Sequence, residues 1–409
     1  MGWLNKRRIR VYPIIFLVVY VCLYIYMVSS GSGLLDAFGH PIGSDFLAFW
    51  SISKVITTEE PKEVYNREKM YEVQKNIIGV YSLYPTFYPP SSLIFMAPLA
   101  LLSYIPSLIL WLAITLAFYL FVLWRIAPNA ATLWLGLAFP GTYQNFIHGQ
   151  NAFLVVTLLG TGLMLMDRSP VIAGVFFGLS IFKPHLAILI PIALLAHKNW
   201  KVLVSMVFTG ISIVLISLIV FGYDSWRAFF ASFPYAMEII ESGEARLYQL
   251  TSVMAMTVLL GANILTAKII HLVFAIVALG LVAWIWYKKA PLFLRASSLA
   301  LGTLLIPPYV HIYDLAILAL PIGWMGWETF KTGNRPPGLE YLLVITWVAP
   351  LLANVIAKET KIQFAPILIF VLLLLCFYWA YKLQKNMPQS ISTLSFSLSS
   401  EREGRYEKD

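Results

Sequence analysis

Long apolar stretches separated by short polar breaks make up most of this chain. A helix needs roughly 20 apolar residues to cross a bilayer, and several stretches approach that length. The pattern therefore predicts an all-α polytopic membrane protein with about 12 transmembrane helices. The predicted spans are residues 12–29, 106–125, 130–147, 151–166, 170–182, 185–196, 201–222, 265–287, 295–307, 312–327, 340–357 and 362–382.

Two longer polar segments and one short apolar segment fall outside these spans. Residues 30–90 form a predicted first outer loop with juxtamembrane helices, and residues 222–264 form a second outer loop. The apolar segment 91–104 is too short to cross, so we expect a helix at or dipping into the outer surface. Residues 387–409 are rich in serine and charge, which predicts a disordered tail in the cytoplasm.

Composition and charge support this class and orientation. Hydrophobic residues make up 59% of the chain and charged residues only 12%, which excludes an ordinary soluble domain. Lys and Arg concentrate in the predicted inner loops, which predicts that both termini lie in the cytoplasm. The expected location of the protein is the plasma membrane. The net charge of +9 then needs no nucleic-acid partner. Cys22 and Cys376 both lie in apolar spans, so neither a disulfide framework nor a zinc site is predicted.

The polar motifs gather on the predicted outer side. The inner loops carry no phosphate-binding glycine motif, so any enzyme chemistry is expected outside. The outer motifs are Gly43-Ser44-Asp45-Phe46, His148-Gly149-Gln150-Asn151, Lys183-Pro184-His185, and the stretch 307–314 that ends in His311-Ile312-Tyr313-Asp314.

Together with Tyr88-Pro89-Pro90, Ala97-Pro98-Leu99 and Gly178-Leu179, these motifs resemble the integral-membrane GT-C glycosyltransferases. They are most similar to glycosyltransferase family 87, the polyprenyl-phosphate-mannose-dependent α-mannosyltransferases. The segment Tyr248–Ser252 matches that family only loosely. The resemblance implies one GT-C-like catalytic domain over residues 1–386. It implies transfer of a sugar, expected to be mannose, from a polyprenyl-phosphate carrier to a lipid or glycan acceptor, with inversion and with membrane lipids around the protein.

The resemblance also assigns roles to single residues. An acceptor hydroxyl needs a base during attack, and Asp45 is the predicted general base, with His311 as a second catalytic residue. The leaving phosphate gathers negative charge, which Lys183, His148 and Arg246 are expected to bind. No cofactor and no obligatory metal are expected, since the chain has no Asp-x-Asp pair. The residues expected to bind sugar or acceptor are Gln150, Asn151, Tyr88, Trp50 and Asp314.

Each assignment has a purely structural alternative. Asp45 could cap the helix that follows it, and Lys183 could extend to lipid headgroups. His148 could cap a helix end, His311 could be a satisfied core histidine, and Asp314 could orient His311. Gln150 and Asn151 could satisfy free backbone groups, and Tyr88-Pro89-Pro90 could be architectural.

Two other functions also fit the pattern. One is a lipid-linked arabinofuranosyl or other pentosyl transferase of the same superfamily. The other is a lipid or solute transporter, although such a carrier would place its ionisable residues near the middle of the bilayer.

Overall fold

Helices account for the regular structure of this chain. The computed structural model describes residues 6–79, 83–235 and 246–386. Within these ranges all the helices and strands longer than an isolated bridge are helices, which confirms the predicted all-α class. The α-helices are α1 (Lys6–Ser29), α2 (Phe46–Thr58), α3 (Arg67–Ile78), α4 (Pro90–Met96), α5 (Tyr104–Ile126), α6 (Ala130–Leu137), α7 (Pro140–His148), α8 (Ala152–Leu165), α9 (Pro170–Leu179), α10 (Pro184–Ala187), α11 (Leu189–His197), α12 (Trp200–Ala231), α13 (Val253–Leu259), α14 (Ile264–Tyr287), α15 (Leu292–Leu305), α16 (Ala319–Thr332), α17 (Leu339–Thr360) and α18 (Ala365–Lys385).

Six helices of the described residues are long and apolar enough to cross a membrane. Most other predicted spans correspond to apolar helices of 10–17 residues. The protein is therefore a membrane protein, while the number of about 12 crossings stays a prediction. The six long helices are Val11–Ser29, Tyr104–Ile126, Trp200–Tyr235, Ile264–Tyr287, Leu339–Thr360 and Ala365–Lys385.

Several predicted spans are interrupted, and the interruptions lie next to the polar motifs. The predicted span 130–147 is divided between α6 and α7, because Pro140 at the start of α7 has no backbone N–H to continue the helix before it. The predicted span 312–327 begins as a 3-10 helix, Ile312–Leu318, before α16. Polar residues at these breaks reach the interior of the bundle, where irregular backbone needs protein partners.

The segment 30–90 contains α2, α3 and a 3-10 helix between them, Pro61–Tyr65. Helix α2 is mostly buried and packs on the short helical segment that follows α4. The Ser53 hydroxyl donates to the Ala97 carbonyl at 2.7 Å and accepts from the Ala100 N–H at 2.8 Å. Residues 91–104 are helical over most of their length, as α4 and the 3-10 helix Ala97–Leu101, but their surface position stays a prediction.

The segment 222–264 begins with a change in chain direction at Gly222. Gly222 has φ of 77° and ψ of 162°, which interrupts the long helix that starts at Trp200. Residues 236–245 of this segment lie outside the described residues. The predicted disordered tail, 387–409, also lies outside them.

Close helix packing fixes the position of the segment that carries Lys183. Added Cβ atoms on Gly174 and Gly178 would lie 2.4 Å from Ser205 and 2.5 Å from Thr209. Small residues four apart on each helix thus let α9 and α12 approach closely, as in other membrane helix pairs. The end of α9 is held rigidly as a result, and with it the break at Lys183.

Candidate active site

Two glycine turns meet at the start of α2 and bring distant motifs together. Gly43 and Gly149 have φ of 68° and 62°, a left-handed conformation that side chains rarely adopt. An added Cβ on Gly149 would lie 2.6 Å from the Cβ of Phe46. The Asp45 N–H donates to the His148 carbonyl at 3.0 Å across this contact. Residues 43–46 and 148–151 therefore form one unit.

Asp45 lies at the N-cap position of α2, but its side chain does not cap the helix. Its backbone is in the right-handed helical region, and the side chain makes no capping hydrogen bond. The Gln150 amide instead donates to Oδ2 at 2.9 Å. No described residue donates to Oδ1, and the residue is half-buried. One carboxylate oxygen is thus held in place and the other is available, which contradicts the capping alternative.

Lys183 is buried inside the protein and does not extend to headgroups. Its side chain is 5% exposed, and Nζ lies 2.6 Å from Oδ1 of Asp314. Nζ also donates to Oδ1 of Asn151 at 3.3 Å. The snorkelling alternative is therefore wrong. A role in binding phosphate stays a prediction, and the Asp314 carboxylate already balances the lysine charge.

Asp314 holds the backbone of His311 while it pairs with Lys183. Its Oδ2 accepts the His311 N–H at 3.2 Å, in a capping box at the start of the 3-10 helix Ile312–Leu318. The side chain is 1% exposed. This geometry agrees with the alternative in which Asp314 orients His311. Its predicted contact with sugar or acceptor stays a prediction.

The rings of His311 and His148 both pack against Tyr313. The His311 and Tyr313 rings stack at 5.0 Å with an interplanar angle of 6°. The His148 ring meets Tyr313 edge-on at 6.2 Å, and its Nδ1 lies 2.8 Å from the Ser44 hydroxyl. Burial lowers the pKa of His311, and the Asp314 and Asp45 carboxylates oppose this only in part. The imidazole of His311 is therefore neutral at pH 7.

Gln150, Asn151 and Tyr88 connect Asp45 to the Lys183 pair. The Asn151 amide donates to the Tyr88 hydroxyl at 2.8 Å, and the Asn151 N–H donates to Oε1 of Gln150 at 3.1 Å. Both amide side chains are buried. Burial raises the pKa of Tyr88, so its hydroxyl stays protonated. Buried polar groups that satisfy each other in this way form a rigid network.

Residues 86–308, more than half of the chain, match the sequence profile of glycosyltransferase family 87. The chain belongs to glycosyltransferase family 87. No curated protein and no solved structure matches it. Family membership makes the protein a glycosyltransferase, and the polar network just described is its candidate active site.

The family 87 match covers only part of this site. Tyr88, His148, Gln150, Asn151 and Lys183 fall within it, whereas Asp45, His311 and Asp314 lie outside the matched residues. The contacts of Asp45 with Gln150 and of Asp314 with Lys183 join the two groups. The tertiary structure therefore extends the site beyond the segment that identifies the family.

Two predicted site residues do not join this network in the described part of the enzyme. The Trp50 indole donates to the Leu102 carbonyl at 3.0 Å and packs edge-on against Tyr104 at 6.1 Å. Arg246 is exposed and directly follows the segment 236–245. Trp50 thus packs beside the network, and sugar binding by Trp50 and phosphate binding by Arg246 both stay predictions.

Two side chains in the network had no role in the sequence-based assignment. Tyr313 contacts both histidine rings, and Ser44 fixes the orientation of His148. Each lies within two residues of a predicted catalytic residue, which is the signal that would have found them.

Within the described residues, no group of three His, Cys, Asp or Glu side chains is arranged to hold a metal ion. The expectation that the family 87 enzyme needs no metal stays a prediction.

Proposed function

We propose that this enzyme transfers a sugar, in the first instance mannose, from a polyprenyl-phosphate carrier to a lipid or glycan acceptor on the outer side of the plasma membrane, with inversion. One observation carries the proposal. In a family 87 protein, the Asp45 carboxylate is oriented by Gln150 through one oxygen and keeps the other oxygen available. A carboxylate held in this way can accept a proton from a substrate hydroxyl.

In the proposed reaction the acceptor oxygen attacks the anomeric carbon of the donor. The bond between that carbon and the phosphate oxygen breaks as the new glycosidic bond forms, and Asp45 takes the proton of the acceptor hydroxyl. The products are the glycosylated acceptor and a polyprenyl phosphate that leaves with the bonding electron pair. A single displacement of this kind inverts the anomeric configuration.

The surroundings of Asp314 favour inversion over retention. By analogy with glycosidases, retention through a covalent intermediate needs a second carboxylate as nucleophile about 5 Å from the first. Asp314 is the other acid of this network, and it is buried, paired with Lys183 and bonded to the His311 backbone. A carboxylate with these partners is a poor nucleophile. Asp45 is therefore the carboxylate of the network that is left to act as base.

Hydrogen-bond donors around the network are suited to the charge that develops on the leaving phosphate. The His148 ring is oriented by Ser44, the neutral His311 ring by Tyr313, and the Lys183 ammonium by Asp314 and Asn151. Donors whose orientation is fixed before the reaction stabilise a developing negative charge effectively, because they need no rearrangement.

The test uses purified protein in lipid nanodiscs with radiolabelled donors, both a panel of polyprenyl-phosphate sugars and nucleotide sugars, and an extracted acceptor-lipid mixture. Solute uptake is measured in parallel with the protein in lipid vesicles. We expect Asp45→Asn to lower turnover by about 10²- to 10⁴-fold, the usual contribution of a general base, while donor binding persists. Asp224→Asn is the matched control, because Asp224 is an exposed carboxylate in segment 222–264, outside the polar network.

Four outcomes would contradict parts of the proposal. Full turnover by Asp45→Asn would refute the assignment of the base. Transfer from a pentosyl donor alone would refute mannose, and transfer from a nucleotide sugar alone would refute the lipid-phosphate donor. Movement of solute into vesicles without any glycosidic product would refute the transfer reaction as a whole.

A further inference from the structure

The ring of Tyr313 contacts three predicted functional residues that come from separate parts of the chain. His311 stacks on one face at 5.0 Å, and the His148 ring approaches at 6.2 Å. The Lys183 ammonium lies 5.2 Å from the centre of the Tyr313 ring, within the range of a cation–π contact. The Tyr313 ring is therefore a shared contact of all three side chains.

Backbone contacts fix the position of this ring before any substrate binds. Leu250 and His311 pair as an isolated antiparallel bridge, and the Thr251 N–H donates to the Val310 carbonyl at 2.7 Å. Asp314 holds the first turn of the 3-10 helix through the His311 N–H. Since Tyr313 lies in that turn, directly before Asp314, its backbone is held on both sides by these contacts. Its side chain is thus preorganised.

The Tyr313 hydroxyl is left without a partner among the residues that the structure describes. Within the described residues it makes no hydrogen bond, although the side chain is half-buried. The nearby titratable groups that act on it electrostatically are Asp45, Asp314 and Tyr88. The hydroxyl therefore lies near the proposed base, and a half-buried hydroxyl with no partner among the described residues is suited to a substrate atom.

The charge balance of the site indicates which kind of substrate atom the Tyr313 hydroxyl binds. Lys183 is neutralised by Asp314, and the His311 ring is uncharged at pH 7. A phosphate entering the site thus meets few unbalanced positive charges. Oriented neutral donors are therefore suited to help hold it, since hydrogen bonds to a charged oxygen are stronger than those between neutral groups.

We propose that Tyr313 binds the phosphate of the donor lipid, with its hydroxyl donating a hydrogen bond to a phosphate oxygen and its ring holding His311 and His148 beside that phosphate. This role rests on the proposed function, since it assigns a contact for the polyprenyl-phosphate donor.

The experiment compares Tyr313→Phe, which keeps the ring and removes the hydroxyl, with Tyr313→Leu, which removes both. Tyr223→Phe is the matched control, because that side chain is 74% exposed. Binding of radiolabelled polyprenyl phosphate to each protein in nanodiscs is measured directly, together with thermal stability. Donor KM, acceptor KM and kcat are then measured with the polyprenyl-phosphate sugar.

We expect Tyr313→Phe to weaken polyprenyl phosphate binding by roughly 10- to 100-fold, the value of one hydrogen bond to a charged group. Donor KM should rise with it, whereas acceptor KM and thermal stability should stay at the wild-type values. Tyr313→Leu should lose more binding, and it should also lower kcat because His311 and His148 lose their support. Tyr223→Phe should match the wild type throughout.

Failure of this proposal can be distinguished from failure of the proposed function. Unchanged polyprenyl phosphate binding by Tyr313→Phe would overturn the role of Tyr313, even if the wild type transfers sugar. Loss of affinity for the sugar-bearing donor alone would also overturn it, because the hydroxyl would then contact the sugar. Weakened polyprenyl phosphate binding in Tyr313→Phe, with no sugar transfer by the wild type, would support phosphate binding by Tyr313 and refute the transferase proposal. A wild type that binds no polyprenyl phosphate would refute both.

Discussion

Lys183 and Asp314 form a buried ion pair, and removing either charge alone should destabilise the protein strongly. Their side chains are 5% and 1% exposed, and the nitrogen–oxygen distance is 2.6 Å. Asp314→Asn keeps the size of the side chain but leaves an ammonium buried without a counter-charge. Lys183→Met leaves a carboxylate buried with the His311 N–H as its remaining partner. Removing one partner of such a pair costs about 3–5 kcal/mol.

The double variant Lys183→Met/Asp314→Asn should recover most of this loss. It carries no net charge in the pair, and the amide oxygen introduced at position 314 can still accept the His311 N–H. Replacing a buried ion pair by uncharged groups of similar volume is often close to neutral. We therefore expect the double variant to lie within about 1–2 kcal/mol of the wild type, although the two single losses sum to roughly 6–10 kcal/mol.

The measurement is the free energy of unfolding by SDS titration of the protein in bicelles, for the wild type and all three variants, with glycosyl transfer measured in parallel. The double variant should be folded but impaired in transfer, because it lacks the Lys183 ammonium. A loss below about 1 kcal/mol in each single variant would refute the strong coupling of the buried pair. A double variant that loses the sum of the two single losses would refute it as well.

The same site leads to three further predictions. Gly149→Ala should lower the free energy of unfolding by about 2–4 kcal/mol, since φ is 62° and the new Cβ would press on Phe46. The control Gly79→Ala, with φ of 73° and nothing within 4 Å, should lower it by only about 1 kcal/mol, and equal losses would contradict the close approach. The pKa of His311 is lowered in the folded protein, so the stability that its neutral ring contributes is present above the unfolded pKa of about 6.5 and is lost as pH falls through the folded pKa. His311→Gln should therefore weaken the loss of stability in acid, measured by unfolding at a series of pH values, and an unchanged pH profile would contradict this. Treatment with EDTA should leave transfer intact, and an activity that disappears and returns with Mg²⁺ or Mn²⁺ would show that a metal is required.

The family motifs were visible in the sequence because each one is local. Gly43-Ser44-Asp45-Phe46 and His148-Gly149-Gln150-Asn151 interrupt apolar stretches, so their polar residues stand out without any knowledge of the fold. Hydropathy likewise indicated the membrane class, since the length needed to cross a bilayer is a property of a continuous segment. The interruption of the predicted span 130–147 was harder to predict from the sequence, although Pro140 was the signal for it.

The partners of these residues were decided by tertiary structure alone. Lys183 and Asp314 are 131 positions apart, and Asp45 and Gln150 are 105 apart, so no local pattern could pair them. The same packing places the Trp50 indole against the Leu102 carbonyl and brings both histidine rings into contact with Tyr313. Sequence determined which residues could carry the chemistry, because residue type and hydropathy act locally. Only the folded chain decided which of them meet, because that depends on how distant helices pack.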